Sequence, residues 1–335
     1  MGCVLNSLID MVVNRSFAYS VSNDDDGENM MEYVQLGHTD LRVSRLCQGT
    51  AFRHLPRTDD PHALRVLESA LDCGINFFDT AIAYGWGGAE EVLGRAVKGR
   101  RDTLVLCSKV PVHLEEGGIA IYDYNYLREQ LEGSLRRLGT DCLDLYLLHH
   151  VDEQTPAEEI GEAMQRLVDA GSARYWGVSN HCAAQVRTLL ETGSVAAVEE
   201  YYNIAGVHLD AEGDSRTRRF EEEMMPLLKQ SDLGCLAFSP MDTGLLAAAE
   251  PADPALRGLV QCIDEVADQL GVPRAAVCVS WVAQQAGITS VLCGAESPEQ
   301  VRVNALGSTL ILPGDALEML DVARQRYRRA QRRAG

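Results

Sequence analysis

Several features that would indicate particular kinds of protein are missing from this sequence. It has ten cysteines but no CxxC pair and no His-rich zinc spacing, so we expect reduced, buried thiols and no metal site. No run approaches the roughly 18 to 20 apolar residues that a membrane span needs, and the N-terminus lacks the pattern of a signal peptide. These absences predict a cytoplasmic protein with no membrane partner.

Basic residues are also scarce. The formal net charge is −19, and Lys and Arg form no cluster of the kind that binds nucleic acid or an anionic membrane. Lysine occurs only at Lys98, Lys109 and Lys229. A lysine within a motif is therefore unlikely to be there by chance and indicates a specific role.

The length of 335 residues is within the range of a single α/β barrel. Residues 1–31 contain a short apolar piece followed by the polar, acidic run 22–29, which predicts a disordered N-terminal extension. Residues 32–335 show no break in composition. We therefore expect one domain there.

The organised part of the chain begins with a predicted β-hairpin around residues 37–40 and continues as alternating strand and helix patterns. No GxGxxG follows an early strand, so the alternation favours a closed (β/α)8 TIM barrel over a doubly wound sheet. A basic C-terminal helix is predicted over 315–333. The eight predicted strands are 45–50, 75–81, 103–110, 143–149, 173–180, 197–203, 234–240 and 287–294.

Helices between these strands have clear end signals. Residues 62–73, 90–98, 126–138, 157–170 and 254–270 have helical patterns, and several are followed by glycine. Thr155 and Ser297 each precede a proline and a Glu or Gln three residues on, which predicts a capping hydroxyl with proline in the first helical position.

Polar side chains fall at the ends of consecutive predicted strands. Asp79 ends the second strand, Tyr84 follows in the loop, Lys109 ends the third and His149 ends the fourth. Each alone has an ordinary explanation as a cap, a packing residue or a satisfied core histidine. Together, at the carboxyl ends of barrel strands, they predict an active site.

The chain from Glu32 to about Leu306 resembles the aldo-keto reductase superfamily. The resemblance rests on the motifs GINFFDTAIAYG, LDLYLLHHVD, RYWGVSNH, FSPMDTGLL and CGAESPEQVRVN. It implies a nicotinamide-dependent oxidoreductase with Asp79, Tyr84, Lys109 and His149 as the catalytic tetrad. The implied cofactor contacts are Thr50, Ala51, Asp79, Ser179, Asn180, Glu199, Phe238, Ser239, Pro240, Met241, Gly294, Gln300 and Asn304, and the implied substrate contacts are Phe52, Trp86 and His149.

The chemistry explains this tetrad. Hydride transfer to a carbonyl carbon requires a proton for the oxygen, and Tyr84 can supply it. We expect Lys109 to lower the pKa of Tyr84 by about three units, before Asp79 offsets part of that. Neutral His149 would orient the carbonyl. The adjacent His149 and His150 would face opposite sides of a strand, and alignment to the family's LHxxD pattern selects His149.

Two positions depart from the family pattern. Glu199 stands where the family usually has Gln, and a carboxylate can accept from a carboxamide but cannot donate to it. Gly294 stands at a position that is often basic in NADPH-preferring members, with Glu296 close by and Arg302 as the nearby cation. We expect NADP(H) to be favoured, with NAD(H) as the alternative.

Three functions fit these observations. The first is the reversible reduction of an aldehyde or ketone, with a small-molecule carbonyl or sugar as substrate. The second is an NAD-dependent sugar or alcohol dehydrogenase that uses the same tetrad. The third is a regulatory cofactor-binding module resembling the potassium-channel β subunits, since fold alone does not separate it from an enzyme. No sequence feature indicates an oligomeric state.

Overall fold

The computed structural model describes residues 31–52, 61–111, 122–208, 215–247 and 251–334. Apart from Met31, the predicted N-terminal extension lies outside these residues. Met31 is buried in the core and contacts Ser308. Met31, the last residue of the predicted extension, is thus part of the packed barrel.

The predicted hairpin is present as two short antiparallel strands, β1 (Tyr33–Gln35) and β2 (Arg42–Ser44). Its tip contacts the chain just before the strand at Gly234, where the amide of His38 donates to the carbonyl of Asp232 at 2.9 Å. Gly37 has a φ of +54°, and a Cβ there would lie 2.4 Å from the Gly234 nitrogen. Only glycine fits this contact, by which the hairpin closes the amino-terminal end of the barrel.

Eight parallel strands close into a barrel in the order β10-β3-β4-β5-β6-β7-β8-β9, which confirms the predicted (β/α)8 architecture. Every predicted run overlaps a strand, with ends that differ by up to three residues. The strands are β3 (Leu46–Gly49), β4 (Phe77–Asp79), β5 (Val105–Val110), β6 (Leu143–Leu148), β7 (Ala173–Ser179), β8 (Val195–Tyr201), β9 (Gly234–Phe238) and β10 (Ser290–Cys293).

Helices surround the barrel, and most of them have an apolar face that packs on the outside of the strands. An irregular helical segment over 216–231, which includes a π-helical turn at Phe220–Met224, was not predicted. The helices are α1 (Pro61–Asp72), α2 (Gly88–Ala96), α3 (Tyr124–Leu138), α4 (Ala157–Asp169), α5 (Ala183–Thr192), α6 (Arg216–Arg219), α7 (Met225–Ser231), α8 (Pro254–Leu270), α9 (Arg274–Ala283), α10 (Pro298–Thr309) and α11 (Gly314–Ala334).

The two predicted helix caps have different outcomes. Ser297 caps α10, and its hydroxyl accepts from the amide of Gln300. The prediction of a cap at Thr155 is wrong, because the residue directly before α4 is Pro156 and no side chain caps that helix. The amide of Thr155 instead donates to the carboxylate of Asp152, which holds the preceding loop.

The apolar core has two layers. One lies inside the barrel and includes the hairpin residues Leu36, Leu41 and Val43, and the other lies between the strands and the helices. The C-terminal helix α11 belongs to the outer layer, where Arg324 donates to the carbonyl of Ile204 at 3.0 Å. None of the described helices is long and apolar enough to cross a membrane.

Candidate active site

The predicted tetrad comes together at the carboxyl end of the barrel strands. Asp79 is the last residue of β4 and pairs across the sheet with Cys107 of β5. Lys109 lies two residues further along β5, and successive residues of a strand alternate faces, so Lys109 emerges on the same face as Cys107. Tyr84 comes from the loop after β4, and His149 directly follows β6.

Lys109 connects these groups. Its ammonium donates to both Asp79 oxygens at 2.5 and 2.6 Å, and to the carbonyl of Thr80 at 3.2 Å. The Tyr84 hydroxyl lies 3.4 Å from Lys109 Nζ. The ring of Tyr84 in turn meets the ring of His149 edge to face, at a centroid distance of 5.8 Å. The four residues therefore form one connected group.

The charge of Lys109 is secured by its neighbours. Burial opposes the ammonium form, but Asp79 and Glu199 outweigh it and raise the pKa of Lys109 well above its usual value. Glu199 Oε2 lies 3.4 Å from Lys109 Nζ. A permanent cation is thus held beside the Tyr84 hydroxyl.

The expected net lowering of the Tyr84 pKa is wrong. Burial raises the pKa of Tyr84 above its usual value, and Asp79 and Glu199 add to that, while Lys109 acts in the opposite direction without overcoming it. Tyr84 is consequently a neutral phenol at physiological pH. A neutral phenol is the form that can donate a proton to a developing alkoxide.

His149 is neutral, as expected for a hydrogen-bonding role. Burial, the charge of Lys109 and the neighbouring His150 lower the pKa of His149 to about 3. The expectation that His149 and His150 face opposite sides of a strand is wrong, however. Strand β6 ends at Leu148, and the two imidazole rings stack at a centroid distance of 4.7 Å instead of facing opposite sides. His149 is the one in contact with Tyr84.

The amide and hydroxyl predicted to contact the nicotinamide lie next to the tetrad. Ser179 ends β7, and its hydroxyl donates to Glu199 Oε1 at 3.1 Å. The side chain of Asn180 donates to the carbonyl of His149 at 3.0 Å. Asn180 is thereby fixed against the loop that carries His149.

Sequence reasoning missed Arg216. This residue begins helix α6, and its guanidinium donates to Asn180 Oδ1 at 3.0 Å and to Glu200 Oε2 at 3.3 Å. It also lies over the ring of Phe238, 5.7 Å from the centroid. A cation is therefore present among the predicted cofactor contacts, and no motif in the sequence marked it.

Several residues at the ends of the barrel strands have left-handed backbone conformations. Trp86, Asn180, Ser239, Asp242 and Thr243 all have positive φ values, between 50° and 61°. Such conformations are uncommon for residues other than glycine, and they concentrate at functional sites. The loops after β4, β7 and β9 therefore have the strained backbone conformations that are typical of binding sites.

Phe238 ends β9 with its ring partly exposed, next to the ring of Tyr201 at 6.1 Å. The predicted contacts Ser239, Pro240 and Met241 follow in the loop, and the carbonyl of Ser239 accepts from the Asn203 amide at 3.0 Å. A partly exposed aromatic ring beside this fixed loop is a suitable surface for a planar ring.

The predicted contacts after β3 also lie near Asp79. The amide of Thr50 donates to the carbonyl of Asp79 at 3.0 Å, while its buried hydroxyl has no partner among the described residues. Ala51 is exposed, and Phe52 packs partly against the core. Trp86 is 92% exposed, which contradicts the packing explanation for this aromatic residue.

The loop after β10 is held by the start of α10. Asn304 donates to the carbonyl of Gly294 at 3.2 Å, and the amide of Glu296 donates to the side chain of Gln300 at 2.7 Å. These contacts place Gly294, Gln300 and Asn304 together, as predicted. The backbone of this loop is thus fixed at a helix N-terminus.

Arg302, predicted as the cation nearby, pairs with Glu299 at 2.6 Å. The structure adds a second cation from α1. His62 contacts the carbonyl of Glu296, and Arg65 lies 3.1 Å from the His62 ring. The charge balance around Glu296 therefore includes residues far away in the sequence.

Asp79, Cys107 and Glu199 offer three possible metal-ligand atoms within 4.8 Å of one another. The Lys109 ammonium, however, is already bound to the two carboxylates of this group. Burial also raises the pKa of Cys107 well above its usual value, so its sulfur is a neutral thiol. The arrangement favours a lysine-centred proton site over a metal site.

A buried acid supports this arrangement from outside the barrel. Glu90 of α2 is fully buried and accepts from the Ser108 hydroxyl at 2.6 Å and from Arg137 at 2.5 Å. Ser108 immediately precedes Lys109, so the network fixes the backbone that carries the lysine. Sequence reasoning missed Glu90 because its partners come from separate elements.

A barrel with an ammonium, a carboxylate, a phenol and a neutral imidazole at its carboxyl end is typical of an oxidoreductase site. The model of the Aldo/keto reductase family matches residues 45–322. An uncharacterised oxidoreductase, YrpG of Bacillus subtilis, is 33% identical over 320 residues, which is 87% of this chain and 95% of the relative. The chain belongs to the aldo/keto reductase family.

Two further comparisons extend this finding. A probable voltage-gated potassium channel subunit beta of Oryza sativa subsp. japonica is 32% identical over 312 residues, 82% of this chain and 90% of the relative. The holo form of the aldo-keto reductase AKR11C1 from Bacillus halodurans has a TM-score of 0.73 and 27% identity, covering 88% of this chain and 96% of that structure. Aldo/keto reductases use nicotinamide cofactors in general.

Proposed function

We propose that this protein is an NAD(P)H-dependent oxidoreductase that reduces an aldehyde or ketone to an alcohol, with Tyr84 as general acid. The observation that carries the proposal is the position of the Lys109 ammonium, which binds both Asp79 oxygens and lies 3.4 Å from the Tyr84 hydroxyl. This arrangement holds a neutral phenol beside a fixed positive charge. It provides both a proton and electrostatic stabilisation for an oxygen that gains negative charge.

The described residues fit a nicotinamide cofactor. The buried Thr50 hydroxyl has no partner, the Phe238 ring is partly exposed, and the Asn180 side chain is fixed at the strand ends. We propose that Thr50, Ala51, Ser179, Asn180 and Glu199 hold the nicotinamide end, beside Asp79 and the ring of Phe238. The other proposed contacts are Ser239, Pro240, Met241, Gly294, Gln300 and Asn304.

Arg216 is a further proposed contact for the anionic part of the cofactor. It is the cation that the structure places over Phe238 and against Asn180. A guanidinium can bind a diphosphate through two parallel hydrogen bonds. Glu200 partly balances its charge while the guanidinium stays about one-third exposed.

The cofactor supplies a hydride to the carbonyl carbon when it is bound. His149, in its neutral form, donates a hydrogen bond that orients the carbonyl oxygen. Tyr84 gives its phenolic proton to that oxygen as the C=O double bond becomes a C–O single bond, and Lys109 stabilises the resulting tyrosinate. Asp79 keeps Lys109 in place. In the reverse direction the tyrosinate accepts the alcohol proton.

The substrate wall is proposed from Phe52, Trp86 and His149. Trp86 lies two residues after Tyr84 and is almost fully exposed, so its indole is available to a ligand. A small-molecule carbonyl compound or sugar fits this description. A cytoplasmic location is also proposed, because the nine cysteines in the described part of the chain are free thiols, as expected in a reducing compartment.

The test is a panel of simple aldehydes and ketones with NADPH and NADH, and of the corresponding alcohols with the oxidised cofactors. We expect turnover of at least one carbonyl compound by the wild type and at least about 100-fold less by a Tyr84→Phe variant. The direction with the higher kcat/KM separates a reductase from a dehydrogenase.

A second candidate is a regulatory cofactor-binding module, favoured by the 32% identity to a potassium channel β subunit. The same panel decides between the two. Cofactor binding without turnover of any compound by the full chain would support the module and contradict the enzyme.

A further inference from the structure

Glu199 shares Lys109 with Asp79. Lys109 Nζ lies 2.5 and 2.6 Å from the Asp79 oxygens and 3.4 Å from Glu199 Oε2. The three residues are 0%, 1% and 3% exposed. One ammonium group therefore faces two carboxyl groups where water does not reach.

This charge combination is costly if every group is ionised. Two carboxylates and one ammonium leave a net charge of −1 in a buried site, and an uncompensated buried charge costs several kcal/mol. When two carboxyl groups share one site, the pKa of one is raised strongly. A single retained proton makes the group neutral.

The hydrogen bonds indicate which carboxyl group retains the proton. Asp79 accepts two short bonds from Lys109, which stabilise its charged form. Glu199 accepts one bond from the Ser179 hydroxyl at 3.1 Å, and its Oε2 has no hydrogen bond among the described residues. Burial, followed by the charge of Asp79, raises the pKa of Glu199 to about 8.

Among the residues that the structure describes, the other groups around Glu199 do not supply a compensating charge. The thiols of Cys47 on β3, Cys107 on β5 and Cys235 on β9 are buried, and burial raises the pKa of each well above its usual value. Tyr84 is also neutral, and Ser179 on β7 contributes only a hydroxyl. Lys109 is therefore the cation available to both carboxyl groups.

We propose that Glu199 holds a proton at neutral pH and acts as a positioning residue that leaves Asp79 as the only charged partner of Lys109. As a carboxylic acid, Glu199 can donate a hydrogen bond as well as accept one, unlike the carboxylate expected from the sequence.

Loss of this proton would change the site. A second negative charge beside Lys109 draws the ammonium away from Tyr84, and a charged Glu199 also raises the pKa of Tyr84. Both effects make Tyr84 a weaker acid. Carbonyl reduction should therefore slow as the pH rises through the pKa of Glu199.

The kinetic test rests on the proposed function. For the wild type, kcat for reduction should fall about tenfold between pH 7 and 9, as expected for activity that follows the protonated fraction of a group with a pKa near 8. Glu199→Gln cannot ionise, so its kcat, taken relative to its own value at pH 7, should lose this alkaline decrease. A variant that keeps the wild-type decrease would overturn the proposal.

The neighbouring residue provides a matched control. Glu200 lies on the same strand and is also buried, but it binds Arg216 and the amide of His181 instead of Lys109. Glu200→Gln should therefore preserve the decrease between pH 7 and 9. Its disappearance in this control would contradict the assignment to Glu199.

An infrared titration of the full chain tests the proton without turnover. At pH 7 the difference spectrum between wild type and Glu199→Gln should contain the C=O band of a protonated carboxyl group, which disappears near pH 8. If no carbonyl compound is turned over but this band is present, the proposed function fails and the protonation of Glu199 stands. If the band is absent, the inference fails whatever the activity.

A second variant keeps the test decisive if Glu199→Gln does not fold. Ser179→Ala removes the hydroxyl that donates to Glu199, a bond that favours the charged form. The titration of the carboxyl band should therefore move to higher pH in Ser179→Ala. An unmoved titration would show that the band belongs to another group and would overturn the proposal.

Discussion

Lys109 gives its two shortest hydrogen bonds to Asp79, at 2.5 and 2.6 Å. Both residues are fully buried, on neighbouring strands of the barrel. The pair serves two purposes at once, because it neutralises two buried charges and holds an ammonium group beside the Tyr84 hydroxyl. Changes to either residue should therefore affect both stability and chemistry.

Lys109→Met should inactivate the enzyme and lower its stability. The variant leaves Asp79 without its cation, and breaking a buried pair costs about 3 to 5 kcal/mol. Carbonyl reduction and urea unfolding measure the two effects. Lys98→Met is the control, because Lys98 is exposed on the surface and should give neither effect. A Lys109→Met protein with a near-normal pH–rate profile would contradict the role of Lys109.

Tyr84→Phe should lower kcat for reduction by at least about 100-fold, since a general acid usually contributes that much. The ring remains, so the cofactor Kd should change little. Fluorescence titration and steady-state kinetics measure these values. Tyr33→Phe removes only a surface hydrogen bond to the carbonyl of Gly74 and should keep full turnover. Activity above about one per cent in Tyr84→Phe would exclude Tyr84 as the acid.

His149 should make stability depend on pH. Unfolded, it binds a proton below its usual pKa of 6.5, whereas in the folded protein it does so only below about 3. The unfolded state therefore binds more protons within this window, and the free energy of unfolding falls as the pH is lowered. The decrease relative to His149→Gln should reach at most about 1.4 kcal/mol per pH unit.

Urea unfolding of wild type and His149→Gln between pH 7 and 4 measures this difference. His181 offers an independent comparison, because burial also lowers the pKa of its imidazole to about 4. Parallel curves for wild type and His149→Gln would mean that His149 is not held neutral in the folded protein.

Glu296→Lys should strengthen NADPH binding by roughly 1 to 3 kcal/mol, the value of a charged hydrogen bond, with little change in the chemical step. The 2′-phosphate of NADPH would gain a cation beside the fixed loop at Gly294. Titration of both variants with NADPH and NADH measures the preference. Glu265→Lys, an exposed change on helix α8, controls for net charge. An unchanged ratio would show that Glu296 faces away from the ribose.

Removal of residues 1–30 should leave folding and turnover intact. The acidic, glycine-containing run at 22–29 has little to bury, and the buried Met31 would be retained. Thermal unfolding and kcat/KM of the truncated protein test this proposal. A loss of solubility or activity would mean that the extension contributes to the folded protein or to an oligomer.

The barrel could be predicted because its signals are local. Each strand is a short apolar run, and glycines such as Gly139 and Gly271 end helices in left-handed conformations. The positions of Asp79 and Lys109 at strand ends followed from the same alternation. The ends of the strands were predicted less accurately, because the apolar pattern in the sequence extends beyond the last hydrogen-bonded residue of a strand.

What the sequence did not reveal depends on distances between elements. Arg216 approaches Asn180 from a helix that no motif marks, and Arg65 reaches the Glu296 loop through His62. The pKa of Tyr84 was predicted in the wrong direction because the effect of burial was not visible next to the charge of Lys109. These quantities depend on packing density, which a pattern of residue types does not encode.

The closure of the barrel also has a consequence for the time course of folding. Strand β10 pairs with β3 through Val291 and Leu46, and Arg45 donates to the carbonyls of Ile288 and Thr289 across the same seam. These partners lie more than 240 residues apart, so forming this contact has the largest entropic cost of loop closure in the barrel. Contacts of such long range slow folding. During synthesis, therefore, the barrel cannot close until β10 has left the ribosome. Until then, β3 has no partner on one edge.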